Sequence, residues 1–304
     1  MPNLFKTEAD WNKFIKTLTK PKKPLTSKKE IIPQLYYLSE KVILEQYNKS
    51  KKPLGVLFSG GIDSTFIAWI LKKNNCDFIC FSVGTKRSKD LEWAERISQE
   101  LNFKLVKKVY SLEEFETTLK KVAPLFKTEL KNEEIAGYVK LSVGCVVYAG
   151  LELAKTFNIS DIYTGLGSEE IFAGYHKHKK KFLGTLASKD LNKECWDELK
   201  LVYNKDIKRD TKIANLFKIT LLCPYLSKEL IEYAYSIPLK FKISKTERKI
   251  ILRECALKSE LPEEFAFRKK IAAQYGSYFD KTIKKLARQN KFKYKRDYLQ
   301  KIIN

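Results

Sequence analysis

Two short runs carry most of the residues that could do chemistry. The first is Ser59-Gly60-Gly61-Ile62-Asp63-Ser64, preceded by the apolar Leu54-Gly55-Val56-Leu57-Phe58 and followed by Phe66, Ile67, Trp69, Ile70 and Leu71. A buried strand turning through paired glycines into a helix brings backbone N–H groups and the positive helix end to one point, where no Cβ blocks an anion. That arrangement suits a phosphate. No lysine follows the glycines, so this is not the G-x-x-x-x-G-K-S/T loop, and Asp63 stands where a hard Mg²⁺ ion would need an oxygen ligand. The second run is Tyr163-Thr164-Gly165-Leu166-Gly167-Ser168-Glu169-Glu170-Ile171-Phe172-Ala173-Gly174-Tyr175. Two glycines break a strand, Ser168 can cap a new helix, and two carboxylates enter its first turn, where they also favour the helix dipole.

Smaller signals surround these. Phe81-Ser82-Val83-Gly84 ends a second strand, and Gly84 can let backbone approach an adenine ring. Asp206-x-x-Arg209-Asp210 and Glu247-Arg248-Lys249-x-x-Leu252-Arg253 have the spacing of charge pairs on a helix. Leu261-Pro262 is followed by Arg268-Lys269-Lys270 and Gly276. His176 and His178 could be taken for metal ligands, but an i, i+2 spacing does not share a helix face. A solvated basic segment flanking polyphosphate is the expectation there.

The first run resembles the pyrophosphate loop of the ATP pyrophosphatases. With the Phe81–Gly84 strand end and the second run, residues of about 54 to 280 resemble the synthase domain of the asparagine synthetase family, whose signature is G-x-G-S-D-E-L-F-x-G-Y. The resemblance implies a pyrophosphate cradle at Ser59, Gly60, Gly61, Asp63 and Ser64, and adenosine contacts at Val83, Gly84, Thr164 and Gly165. It further implies Mg²⁺ on Asp63 and Glu169, and Lys270 as the lysine that steadies the adenylated intermediate. A fixed ammonium in a dry site stabilises the charge that grows on phosphoryl oxygens. The helical motifs match the family's D-x-x-R-D and E-K-x-x-L-R. There are departures as well. The family's opening cysteine is absent, since Pro2 follows Met1, and no glutaminase domain is expected. The R-x-P-F-L-D motif is Leu222-Cys223-Pro224-Tyr225-Leu226-Ser227, and Leu166 stands where the family has glutamate. Leucine offers no proton acceptor, so poor asparagine formation is expected.

These residues need a sheet to position them. Strands at 54–58, 78–83, 103–109 and 159–164 alternate with helices at 63–74, 88–101, 112–122 and about 141–157. The alternation predicts an α/β fold, a doubly wound parallel sheet with ligands at the carboxyl ends of its strands; the resemblance makes it adenine nucleotide alpha hydrolase-like. Helices at 189–205, 208–217, 228–236, 246–258 and 277–290 form a helical C-terminal part. The expected division is a helical lead-in (1–52), a nucleotide-binding sheet (53–182), helices (183–290) and a basic tail (291–304), mobile or helical. Helix 27–47 of the lead-in should pack on the sheet.

Composition bounds the rest. No long apolar run or signal peptide is evident, and the six scattered cysteines read as reduced core residues of a cytoplasmic protein. A net charge of +23 invites a polyanion such as RNA, although only eight of the 59 basic residues are arginine. The expected function is an ATP- and Mg²⁺-dependent ligase that adenylates a small carboxylate and passes it to ammonia or an amine, with a separate glutaminase as a potential partner. The alternatives are an RNA-modifying ATP pyrophosphatase that adenylates a tRNA base, and an ATP-binding relative without turnover.

Overall fold

Each strand is set by a short β-rich or wholly apolar run, and each following helix starts at a capping or glycine signal. The computed structural model describes residues 5–19, 25–131, 135–175, 177–178 and 188–303. Helix α1 (Glu8–Thr17) begins in a capping box built by Thr7 and Asp10, and α2 (Lys28–Lys49) begins at Ser27 and continues through Pro33. Strand β1 (Leu54–Leu57) leads to α3 (Ile62–Lys73), β2 (Phe78–Thr85) to α4 (Lys89–Glu100), and β3 (Leu105–Tyr110) to α5 (Leu112–Val122). A short α6 (Lys127–Lys131) and the long α7 (Ile135–Lys155) return the chain to β4 (Asp161–Tyr163) and the single turn α8 (Ser168–Ile171). After further helices comes β5 (Thr220–Leu222).

The five strands are all parallel in the order β3-β2-β1-β4-β5, with Leu54 opposite Phe78, Gly55 opposite Ile162, Cys80 opposite Leu105 and Asp161 opposite Thr220. β1 and most of β2 are buried, as helices on both faces of a parallel sheet require, whereas the edge strand β3 carries the half-exposed to exposed Lys107 and Lys108. Helices α3 and α4 pack on β1, β2 and β3, and α7, backed by α5 and helix Lys208–Phe217, packs on β1 and β2. Chain order reverses between β1 and β4, so their carboxyl ends open a crevice.

Several expectations need correction. The last strand comes from within the stretch read as nearly all helix; its three residues are too few to show a period. Helix α7 starts at Ile135 rather than near 141, and its Gly137–Lys155 part, with mean hydropathy 1.2, is long and apolar enough to cross a membrane. It is instead a core helix, with Leu141, Cys145, Ala149, Leu151 and Ala154 fully buried. Helix α2 packs mainly on α3 and on helices Lys228–Ser236 and Ile250–Lys258, touching the sheet through the Tyr163 hydroxyl, which donates to Ile43 O. The basic tail, expected to be mobile or helical, holds a docked helix, Lys295–Ile303, with Tyr298, Leu299 and Ile303 buried. All six cysteines are free, and five of them are buried.

Candidate active site at the switch point

The loop after β1 is shaped by its own side chains. Gly60 takes φ +68°, where a Cβ would be strained. Ser64 Oγ donates to Gly61 O at 3.2 Å, and Ser59 Oγ accepts from Gly61 N at 3.3 Å. Gly61 provides no side-chain cap for α3, so the N–H groups of that helix's first turn face the crevice without a side-chain acceptor. Arg268 fixes the loop from outside: its guanidinium donates to Ser59 O and, at 2.7 Å, to Asp90 Oδ1 of α4. Arg268 and Asp90 are both buried. Burial pushes the Asp90 carboxyl up and the Arg268 guanidinium down, and their pairing opposes both shifts.

Asp63 and Glu169, from the first turns of α3 and α8, converge across the crevice. The cation between them is Lys249. Its Nζ donates to Asp63 Oδ1 at 2.7 Å, Asp63 Oδ2 at 2.8 Å and Ser168 Oγ at 2.9 Å, and lies 3.0 Å from Glu169 Oε1. Lys270 closes the ring, 2.6 Å from Glu169 Oε1 and 3.5 Å from Asp63 Oδ2. Burial alone would raise the Glu169 carboxyl, but Lys249 and Lys270 hold it well below the usual carboxylate range; burial lowers Lys270, and Glu169 with Asp63 more than restores it. A Cβ at Gly174 would stand 2.0 Å from Glu169 Oε2, so the glycine is required for the carboxylate to sit there. The buried Tyr225 hydroxyl donates to Asp63 O at 3.0 Å, which gives the divergent Leu222–Ser227 motif a role in holding α3.

The structure brings Asp63, Glu169 and Lys270 together, and with them Lys249, which the sequence showed only as part of a helix start. Helix Ile250–Lys258 begins four residues later than expected because Lys249 adopts φ +55°, a left-handed conformation rare for lysine that turns its side chain inward. Arg253 fixes that turn, donating to Arg248 O at 2.9 Å, Ala266 O at 2.6 Å and Arg268 O at 3.1 Å. One buried guanidinium thus locks the backbone beside both lysines. The Glu247–Arg253 motif was the signal that could have revealed Lys249.

Asp63, Glu169 and Lys270 line a cavity of about 710 Å³, within the range of small-molecule sites, with Lys249 behind the two carboxylates. One part is apolar, with Phe81, Val83, Val146 and Val147, and there the buried Ser82 Oγ has no protein partner. Ser59, Ser64, Val83, Thr164 and Gly165 line the cavity. Gly60 and Gly61 shape the loop behind it. Gly84 does not reach it: a Cβ there would stand 2.4 Å from Ser88 Oγ and 3.0 Å from Ser277 O, so the close approach it permits is to its own chain.

Beyond Glu169 the wall becomes acidic, with Glu170, Asp206 and Asp210 around Arg209. Arg209 bonds Asp206 at 2.7 Å and Asp210 at 2.6 Å. Asp206 lies in a π-helical turn, Tyr203–Ile207, which re-aims it. Burial, then the Asp206 charge, pushes Glu170 up to about 7, although the Tyr175 hydroxyl donates to it. Leu166 lines the same cavity as these carboxylates. His178 is buried rather than solvated, accepts from Tyr175 N at 3.3 Å through Nδ1, and is pulled by burial down to about 4. His176 lies outside the described residues, among which no cluster of metal-ligating side chains of three or more occurs.

The asparagine synthase family model matches residues 43–188 and 184–300. This chain belongs to the asparagine synthase family. A provisionally named asparagine synthetase (glutamine-hydrolyzing) 1 of Methanocaldococcus jannaschii is 32% identical over 275 residues, covering 80% of this chain and 49% of that protein. Asparagine synthetase B (glutamine-hydrolyzing) of Escherichia coli is 26% identical over 260 residues, covering 79% of this chain and 44% of its own length. The chain therefore spans about half the length of these relatives. Among solved structures, an NMN synthetase from Francisella tularensis overlaps 90% of this chain and 97% of its own at 13% identity and a TM-score of 0.34, too loose to carry an argument.

Proposed function

We propose that this protein is an ATP-dependent ligase that activates a small carboxylate as an acyl adenylate, releasing pyrophosphate, and transfers the acyl group to a nitrogen nucleophile. The observation that carries this reading is the ring of Asp63, Glu169, Lys249 and Lys270 beside the uncapped first turn of α3. The α3 turn and the Ser59–Ser64 loop receive phosphate, and the apolar slot with the orphan Ser82 hydroxyl suits an adenine. Lys270, only partly buried at the cavity wall, meets the charge that develops on the α-phosphate as the carboxylate attacks.

Asp63 and Glu169 fit a Mg²⁺ site, because both already face one cation, the Lys249 ammonium, and Mg²⁺ on ATP is commonly held by one or two carboxylates plus phosphate oxygens. When bound, the ion would neutralise charge on the departing pyrophosphate. Asp63 and Glu169 would hold it, and Lys270, at the cavity wall, would then be free to turn to a phosphate oxygen.

The acidic wall supports the second half of the reaction. Glu170 and Asp206 can orient an amine, and Glu170 can take its proton near neutral pH. Arg209, paired with Asp206 and Asp210, and Arg248, which donates to Gly174 O, line the same cavity and suit a substrate carrying both an amine and a carboxylate. The products of turnover with ATP, Mg²⁺, ammonia and a panel of amino acids, followed by phosphorus NMR, test the reading. AMP with pyrophosphate supports it; ADP with phosphate contradicts it.

A further inference from the structure

Helix Phe279–Gln289 exposes a row of cations that the cavity does not use. Lys281, Lys284, Lys285 and Arg288 recur at i, i+3, i+4 and i+7 and share one face, opposite the buried Phe279, Ile283 and Leu286. Lys291, Lys293 and Arg296 extend the row, all exposed. From Ser277 to Asn304 the chain holds nine Lys and Arg against two Asp. Both aspartates are engaged: Asp280 is buried against Lys295 and lies 3.9 Å from Lys284, and Asp297 accepts from Arg296 Nε at 3.1 Å. From the neighbouring α5, Glu113 faces Lys285 at long range, and Glu116 is taken by Lys120 and the Tyr298 hydroxyl. Among the described residues, Lys281, Lys285, Arg288, Lys291 and Lys293 form no ion pair.

Aromatic rings punctuate the row. Tyr275, at the cavity wall, is 54% exposed, and Tyr294, beyond the far end of the helix, is 50% exposed. Lys281 Nζ lies 4.8 Å from the Tyr278 ring centre, and Lys293 and Arg296 lie 5.3 and 5.6 Å from that of Tyr294. A helix of this length rises roughly 16 Å, which separates the exposed tyrosines by several nucleotides. Cations spaced by a helical turn suit a run of phosphates, and exposed rings suit unpaired bases. A membrane surface would ask for exposed aliphatic side chains on the same face; here they are buried.

We propose that this strip binds RNA, with backbone phosphates along Lys281 to Lys293 and unpaired bases stacked on Tyr275 and Tyr294, so that the strand leads to the cavity. The proposal does not rest on the adenylation reading. Fluorescence anisotropy with an unmodified tRNA transcript, run beside phosphatidylserine vesicles, tests it. The logarithm of affinity should fall with that of salt concentration with a slope of about −3 to −4, as roughly five phosphate contacts give. K284E/K285E/R288E should weaken binding at least tenfold and flatten that slope, with the milder triple glutamine variant intermediate. Tyr294→Ala should weaken it at least about fivefold without changing the slope. All three variants should keep the wild-type circular dichroism spectrum and melting temperature. No binding at low salt, binding unchanged in K284E/K285E/R288E, or equal binding of vesicles and tRNA with no effect of Tyr294→Ala would each overturn the proposal.

Discussion

The two lysines of the site differ in burial, and this separates stability from chemistry. Lys249 is 2% exposed between two carboxylates, so Lys249→Ala leaves buried negative charges facing each other and should cost about 3–5 kcal/mol of stability. The Lys270 side chain is 29% exposed, so Lys270→Ala should leave the melting temperature within a few degrees and lower adenylation at least about a hundredfold. Equal destabilisation of both variants in urea melts would contradict this division. Glu170 gives a pH test. Its folded-state value of about 7 lies above the ordinary 4.5, so its stabilising contribution is complete below about pH 4.5 and is lost as pH rises through 7. Glu170→Gln should therefore be more stable than wild type at pH 8, by up to roughly 3 kcal/mol, and level with it near pH 4. The same substitution should spare pyrophosphate exchange and slow amide formation about a hundredfold or more.

At the scale of elements, the site is built where four turns meet, and Arg253 holds two of them. Arg253→Leu strands the carbonyls of Arg248, Ala266 and Arg268, each costing about 1–3 kcal/mol if it stays unpaired. The expected result is a loss of several kcal/mol and, in the folded fraction, a raised KM for ATP; an unchanged KM would show that the lysines are positioned by other contacts. The strand–glycine–helix turn at Ser59–Ser64 was legible because glycine, apolar run and helix start agree locally. The carboxylates of the second run were legible for the same reason. Lys249 was not, since its role depends on a left-handed turn set by Arg253, a contact distant in sequence from Asp63. β5 was equally hidden: its hydrogen bonds to β4 define it, and no pattern of its own does. His178 was misread because its burial is created by tertiary packing next to Tyr175 rather than by its basic neighbours.

The whole molecule combines a parallel sheet that aims two loops at one crevice with a strongly basic exterior. The sheet, with ligands at the carboxyl ends of its strands, was foreseeable from strand–helix alternation, whereas the order reversal beside β1 is seen only in the fold. The distribution of charge was less so, because composition gives a sum of +23 and only the fold shows which cations share a face. In the proposed reaction the Asp63–Glu169–Lys249–Lys270 ring and the loop beside it activate a carboxylate on ATP. Exchange of labelled pyrophosphate into ATP, with Mg²⁺ and single candidate carboxylates but no amine, measures that step alone. Exchange that requires one carboxylate and disappears in Lys270→Ala is the predicted result. Exchange at the same rate in wild type and Lys270→Ala would contradict it, as would none with any carboxylate although ATP binds.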